Sequence, residues 1–196
     1  MSVLVVAIAG HSGAGKSTLI EKLSALAGHA NILRMDDYDL SSPPRAVKWI
    51  ADGADPNEFQ TPQFFLDIIA LKQGQAILHP GTNQHVKPAP FLFIEEPFGR
   101  ERDAIGRLID FSIYVDTPLE IALARRLLRM NNLISQGNSE VTMEEHLLWY
   151  LRVGRNFYLA VEKSARKNCD LVVDGLLSTD EMAQTIYKAF EGRLQQ

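Results

Sequence analysis

Gly10-His11-Ser12-Gly13-Ala14-Gly15-Lys16-Ser17 has residue types and spacing that could do chemistry. The pattern is G-x-x-x-x-G-K-S, the phosphate-binding loop called Walker A. Its glycines let the backbone turn tightly and aim N–H groups inward, where, with the positive end of a following helix, they form a nest for a polyphosphate. Lys16 brings a point charge to the β- and γ-phosphates, and Ser17 a hydroxyl for Mg²⁺. His11, Ser12, Ala14 and Thr18 complete the candidate nucleotide-binding stretch. The apolar run Val3 to Ala9 before the loop reads as a strand. Lys16–Ala27 reads as a helix, with Leu19, Leu23 and Leu26 on one face and Gly28 as its stop.

Other candidates follow the apolar runs further along. Asn31–Met35 reads as a second strand ending in Asp36-Asp37. A carboxylate there could take a proton from a substrate hydroxyl or hold the metal; the alternative is a solvated acidic turn. Phe91–Ile94 is a buried strand ending in Glu95-Glu96, the pattern of an acidic residue holding Mg²⁺ through water. Adjacent strand residues point opposite ways, so at most one of these glutamates faces a site. Arg125, Arg126 and Arg129 share a helix face that could close over ATP and neutralise charge in transfer, or could simply be solvated. His79 and His85 could touch a substrate hydroxyl but read more simply as surface residues. Trp149, Tyr150, Phe157 and Tyr158 recur at helical spacing, which fits core packing better than a stacking platform.

The elements that must position these residues alternate. Short helices are expected at Arg45–Ala51 and Glu101–Leu108, and a longer one at Pro62–Gln73 with Phe65, Ile68, Ile69 and Leu71 inward. Ser41–Pro44 is a turn, Asp52–Thr61 a loop over the site, Gln75–Leu78 a short strand and His79–Pro90 an irregular excursion. Phe111–Val115 is a strand, followed by a helix from Pro118 to about Met130 and a polar loop over Asn131–Ser139. Val141–Lys167 is a long helical stretch interrupted at Gly154; Leu171–Val173 and Thr179–Leu194 are the last strand and helix. The alternation predicts an α/β fold, a doubly wound parallel sheet of the P-loop nucleoside triphosphate hydrolase type, as one domain over 1–196 with a lid near 125–155. Ligands in such sheets bind beyond the carboxyl ends of the strands.

The chain has 196 residues and a net charge of −4, which offers no general grip on nucleic acid or an anionic membrane. The one cysteine excludes an intramolecular disulfide and a multi-cysteine metal site. Met1-Ser2 leads directly into the first strand, leaving no room for a signal peptide, and no apolar run is long enough to span a bilayer. A cytoplasmic protein is expected, and a homo-oligomer is left open.

These residues resemble the uridine kinase-like group of phosphate-loop kinases, which includes phosphoribulokinase, over most of the chain. Ala7–Thr18 is similar to the family's first strand and loop, and Met35-Asp36-Asp37-Tyr38 to its second-strand motif. Pro56–Gln60 resembles a Pro-x-x-Phe-Asp segment, with Gln60 at the acid. Leu71–Gly74 with Pro80 is similar to the piece before the family's third core strand. Tyr114–Pro118 followed by Arg125-Arg126-Leu127-Leu128-Arg129, and Cys169–Gly175, also match. The chain departs from the pattern at three places. Glu96 stands where glycine is usual, Met130-Asn131-Asn132 where the lid usually continues with Asp, and Trp149-Tyr150 where uridine kinases carry a glutamine near a tyrosine.

The resemblance implies phosphotransfer from ATP, with Mg²⁺, to a hydroxyl of a small molecule such as a nucleoside or sugar-like alcohol. By position, Asp36 is the base, Lys16 and Ser17 hold phosphate and metal, and Glu95 is the second acid. Arg125, Arg126 and Arg129 begin the lid. Two other readings stand beside it. One is an ATP-binding regulator without acceptor. The other is a nucleoside monophosphate kinase, for which Arg45 and Lys48 are the obvious cations on the acceptor side.

Overall fold

The computed structural model describes residues 3–41, 44–137 and 141–194, and side chains as far as Phe190. Five strands form one parallel sheet: β1 (Leu4–Ala9), β2 (Ala30–Arg34), β5 (Phe91–Glu95), β6 (Phe111–Asp116) and β7 (Leu171–Asp174), in the order β2-β5-β1-β6-β7. The chain leaves β1 towards one edge and later returns to the other, so β1 ends at the point where the winding reverses. The expected doubly wound parallel sheet is present.

Strand alternation builds two cores. Val5 and Ala7 of β1 join Leu92 and Ile94 of β5 on the face covered by α2 (Ala46–Ala51), α3 (Pro62–Lys72) and α7 (Arg155–Lys167). Val6 and Ile8 join Phe93 and Ile113 on the face covered by α1 (Lys16–Ala27) and α8 (Thr179–Leu194). Each buried branched aliphatic contributes about 1.5–3 kcal/mol relative to exposure, so both faces are strongly specified.

Several local expectations need correction. On α1, Ile20 is buried with Leu19 and Leu23, while Leu26 is half exposed. On α3, Ile68 and Leu71 are buried as expected, but Phe64 takes the inward place expected of Phe65, and Phe65 and Ile69 are only partly covered. Ile77–Leu78 (β3) pairs antiparallel with His85–Val86 (β4), so part of the expected irregular excursion is a hairpin. That hairpin buries His79, which is 6% exposed rather than on the surface. The short helix α4 covers only Asp103–Gly106.

Helix α5 runs Leu119–Ser135, past the expected end near Met130. Asn131 and Asn132 are carried into the helix, and the stop comes at Gly137 with its positive φ. Part of the loop expected over Asn131–Ser139 and the middle of the turn expected over Ser41–Pro44 lie outside the described residues.

Gly154 does not break the stretch after α6 (Met143–Trp149). A π-helical segment, Tyr150–Gly154, carries the chain into α7. The glycine is needed for space, since a Cβ there would lie 2.3 Å from the Trp149 ring. No helix among the described residues is long and apolar enough to cross a membrane.

Candidate active site

Register places the acidic residues. Glu95, at the end of β5, pairs in register with Ile8 of β1 and Arg34 of β2. The loop after β1, the Asp36 turn after β2 and Glu95 therefore surround one cavity of about 470 Å³. The same cavity is reached by Arg125, Arg126 and Arg129 of α5 and by Phe157, Tyr158 and Val161 of α7.

The phosphate loop is held open by its own carbonyls. His11 O accepts from Lys16 Nζ at 3.2 Å, Ser12 O from Arg126, and Ala14 O from Thr117 Oγ1 at 2.9 Å and Arg125 at 3.3 Å. Gly10 and Ala14 donate their N–H groups to Pro97 O and His11 O, and the remaining loop N–H groups with the start of α1 form the anion site. Gly13 has φ +86° and sits so close to α5 that a Cβ would lie 2.5 Å from Ala122 O. His11 is buried, with Nε2 2.9 Å from Thr117 O; burial holds its pKa below the usual histidine range.

Lys16 Nζ lies 3.3 Å from Glu95 Oε1, and Ser17 Oγ donates to Glu95 Oε2 at 2.9 Å. A hydroxyl and a carboxylate thus converge beside the loop. No group of three or more His, Cys, Asp or Glu side chains that could hold a metal occurs among the described residues. That donor set fits Mg²⁺, which takes one or two protein oxygens and completes its shell with phosphate and water; it does not fit an all-protein cage.

Asp36 opens onto the cavity. It is accessible through the cleft mouth, yet the surrounding walls push its carboxyl above the usual range. The nearby Glu95 charge adds to the rise, while Lys16 and Arg129 oppose it. Asp37 points elsewhere, with His79 Nε2 at 3.6 Å. Of the two adjacent pairs, Asp36 and Glu95 face the cavity.

Arg126 is 4% exposed, with its guanidinium centre 4.3 Å from the Tyr158 ring and 5.4 Å from the Tyr150 ring. Among the described residues, its buried Nε and Nη2 have no acceptor in good geometry. Such donors are suited to an incoming anion. Arg125 bridges Ala14 O and Gly175 O, tying the loop to the end of β7. Arg129 is exposed and lines the cavity.

The sequence reading missed a buried cluster behind the site. Glu96 is fully buried and paired through both oxygens with Arg102, itself 4% exposed. Arg102 also donates to Phe59 O and, at 2.9 Å, to Thr61 Oγ1. Burial pushes the Glu96 carboxyl up and Arg102 opposes that rise. This bridge joins the end of β5 to the 52–61 loop and sets Phe59 against Phe98, with ring centroids 5.0 Å apart. Trp149, Tyr150, Phe157 and Tyr158 divide between both readings. Tyr150 and Tyr158 are buried, and Phe157 and Tyr158 also form cavity wall.

Comparison with known proteins agrees with this architecture. The model of the Phosphoribulokinase / Uridine kinase family matches residues 5–179. A uridine kinase of Borrelia duttonii (strain Ly) is 27% identical over 182 residues, covering 87% of this chain and 86% of that protein. One from Staphylococcus epidermidis is 26% identical over 183 residues, covering 86% of each. The solved structure of TT1252 from Thermus thermophilus aligns over 99% of both chains with a TM-score of 0.52 at 21% identity, a likeness of fold. A phosphate loop at the reversal point of a parallel sheet, with a family match over nearly the whole chain, makes this protein a kinase belonging to the phosphoribulokinase/uridine kinase family.

Proposed function

We propose that this kinase transfers the γ-phosphoryl group of ATP, with Mg²⁺, to a hydroxyl of a small molecule. The observation that carries the reading is the placement of Asp36 on the same cavity as Lys16, Ser17 and Glu95. Lys16, the loop N–H groups and Arg126 bind the triphosphate and take up charge that spreads over the transferring group. Ser17 and Glu95 would hold Mg²⁺, which would supply neutralisation of the phosphate charge. Asp36 accepts the hydroxyl proton; a carboxylate raised towards neutrality is better suited to that task. Arg125 and Arg129 stand where they can begin a lid over the nucleotide. The roles are positioning and electrostatics, which is what phosphoryl transfer asks of a protein.

The uridine kinases among the relatives make a nucleoside hydroxyl the first acceptor to test. A nucleoside monophosphate kinase fits less well. Lys48 is exposed and bound to Asp52, and neither Arg45 nor Lys48 lines the cavity. The test is steady-state ADP release across nucleosides, simple sugars and other alcohols. Release that depends on the acceptor and is lost in Asp36→Ala is expected. ATP binding without stimulation by any acceptor would instead identify a regulator.

A further inference from the structure

Arg126 is a buried cation that α5 delivers to the edge of the phosphate loop. Burial pushes its pKa down, and Tyr158 and Tyr150 are the groups that oppose the fall. The guanidinium carbon lies 4.3 Å from the centre of the Tyr158 ring and 5.4 Å from that of Tyr150. At these distances a ring face attracts a cation, most strongly where water is excluded. Nη1 donates to Ser12 O, which fixes the direction of the fork.

The two rings are braced in turn. Tyr158 is buried on α7, with the His11 ring at 5.9 Å and the Phe157 ring at 5.7 Å. Tyr150 opens the π-helical segment and Gly154 closes it. The bare Cα of Gly154 leaves room for Trp149, whose ring meets Tyr158 edge-on at 5.9 Å. The Tyr150 and Tyr158 rings lie 6.3 Å apart. Isolated π-helical turns are rare and often accompany functional sites.

A guanidinium that only braced α5 against the loop would spend its donors on that contact. Arg126 does not: among the described residues, its buried Nε and Nη2 have no acceptor in good geometry. Buried donors are normally satisfied, and Arg126 also lines the cavity, so an anion is the fitting partner for them. A fork already ordered by ring faces loses less entropy when it grips an oxyanion than a free side chain does.

We propose that Tyr158 and Tyr150 are positioning residues for the phosphoryl transfer: their ring faces hold the Arg126 guanidinium at the loop so that Nε and Nη2 meet the oxygens of the transferring group. This rests on the kinase reading above. In the transfer, the acceptor oxygen bonds to Pγ and the bond from Pγ to the β,γ-bridging oxygen breaks. That electron pair leaves with ADP, and the acceptor proton goes to the Asp36 carboxylate. Arg126 exchanges no bond and no proton; it meets the charge on the phosphoryl oxygens.

The test is a double-mutant cycle on the whole chain: parent, Tyr158→Leu, Arg126→Ala and both together, with Tyr158→Phe as the conservative variant. One readout is kcat for ADP release with uridine as acceptor. The other is calorimetric Kd for a non-hydrolysable ATP analogue with Mg²⁺. Tyr158→Leu should lower kcat by about 10–100-fold, the loss expected of a misplaced catalytic group. Tyr158→Phe keeps the ring face and should recover kcat to within about threefold of the parent. In the Arg126→Ala background, Tyr158→Leu should cost less than about twofold more, because the group it positions is already gone. Arg126→Ala and Tyr158→Leu should each raise the analogue Kd about 10-fold, again without adding. Where Tyr158→Leu does not fold, Tyr150→Leu takes its place in the cycle with the same non-additivity expected.

Losses that multiply across the cycle overturn the proposal, since a general packing defect acts whether or not Arg126 is present. So does a Tyr158→Phe variant as impaired as Tyr158→Leu, or a Tyr158→Leu variant equal to the parent. The calorimetric cycle decides the role of the rings even if the parent does not turn over uridine, so a wrong acceptor and a wrong positioning role are told apart.

Discussion

Replacing Arg102 with Met should be among the most damaging single changes outside the phosphate loop. Glu96 is fully buried, and Arg102 is its ionic partner through both oxygens. Removing the guanidinium strands a carboxylate without solvent, a loss worth about 3–5 kcal/mol. Phe59 O and Thr61 Oγ1 lose a donor as well. For a chain of this length, about 3–5 kcal/mol corresponds to a fall in Tm of roughly 6–20 °C. Glu96→Met alone leaves a buried cation and should cost a comparable amount. The double variant Glu96→Met/Arg102→Met removes both charges at similar volume and should recover about 2–4 kcal/mol relative to the sum of the singles. Urea unfolding followed by circular dichroism measures all four corners of the cycle. An Arg102→Met variant within about 1 kcal/mol of the parent, or strictly additive single changes, would refute the view that this pair is a buried, mutually dependent bridge.

Other consequences are open to direct measurement. Asp36→Asn should abolish acceptor-dependent turnover while slightly raising Tm at neutral pH. The folded carboxyl has a raised pKa, so its charged form is disfavoured in the native state above the ordinary carboxylate range. For the same reason, kcat/KM for the acceptor should fall with acid around an apparent pKa above that range, and a profile set only by an unperturbed carboxylate would contradict the role. Thr61→Val keeps the Glu96–Arg102 ion pair but loses one bond to the loop carrying Phe59. It should raise the acceptor KM and leave the KM for ATP unchanged in steady-state assays. Gly154→Ala drives a methyl into the Trp149 ring and should destabilise by about 1–3 kcal/mol in the same urea assay.

Legibility in the sequence followed the range of the interactions. The phosphate loop could be read because its glycines, Lys16 and Ser17 are fixed by local geometry. Asp36 and Glu95 could be read because they sit where parallel strands end, and the register of β5 with β1 and β2 then brings them to the loop. Arg102 had no comparable signal. It lies in an ordinary polar segment, and its partners Glu96, Phe59 and Thr61 meet only when the 52–61 loop packs against the end of β5. His79 looked like a loop residue because nothing local says that the β3–β4 hairpin folds it towards Asp37. Gly154 looked like a helix breaker because the Trp149 ring that requires its bare Cα lies across a π-helical turn. Asn131 and Asn132 looked like loop residues, yet α5 carries them to a stop at Gly137.

The central claim is hydroxyl phosphorylation assisted by Asp36. It is tested most directly by mass spectrometry of the acceptor after incubation with ATP and Mg²⁺, using the parent protein and Asp36→Ala side by side at matched ATP occupancy. The account predicts an acceptor heavier by one phosphoryl group with the parent protein and a yield lower by at least about 100-fold with the variant. An unmodified acceptor with the parent protein, or equal phosphorylation by both proteins, would contradict it.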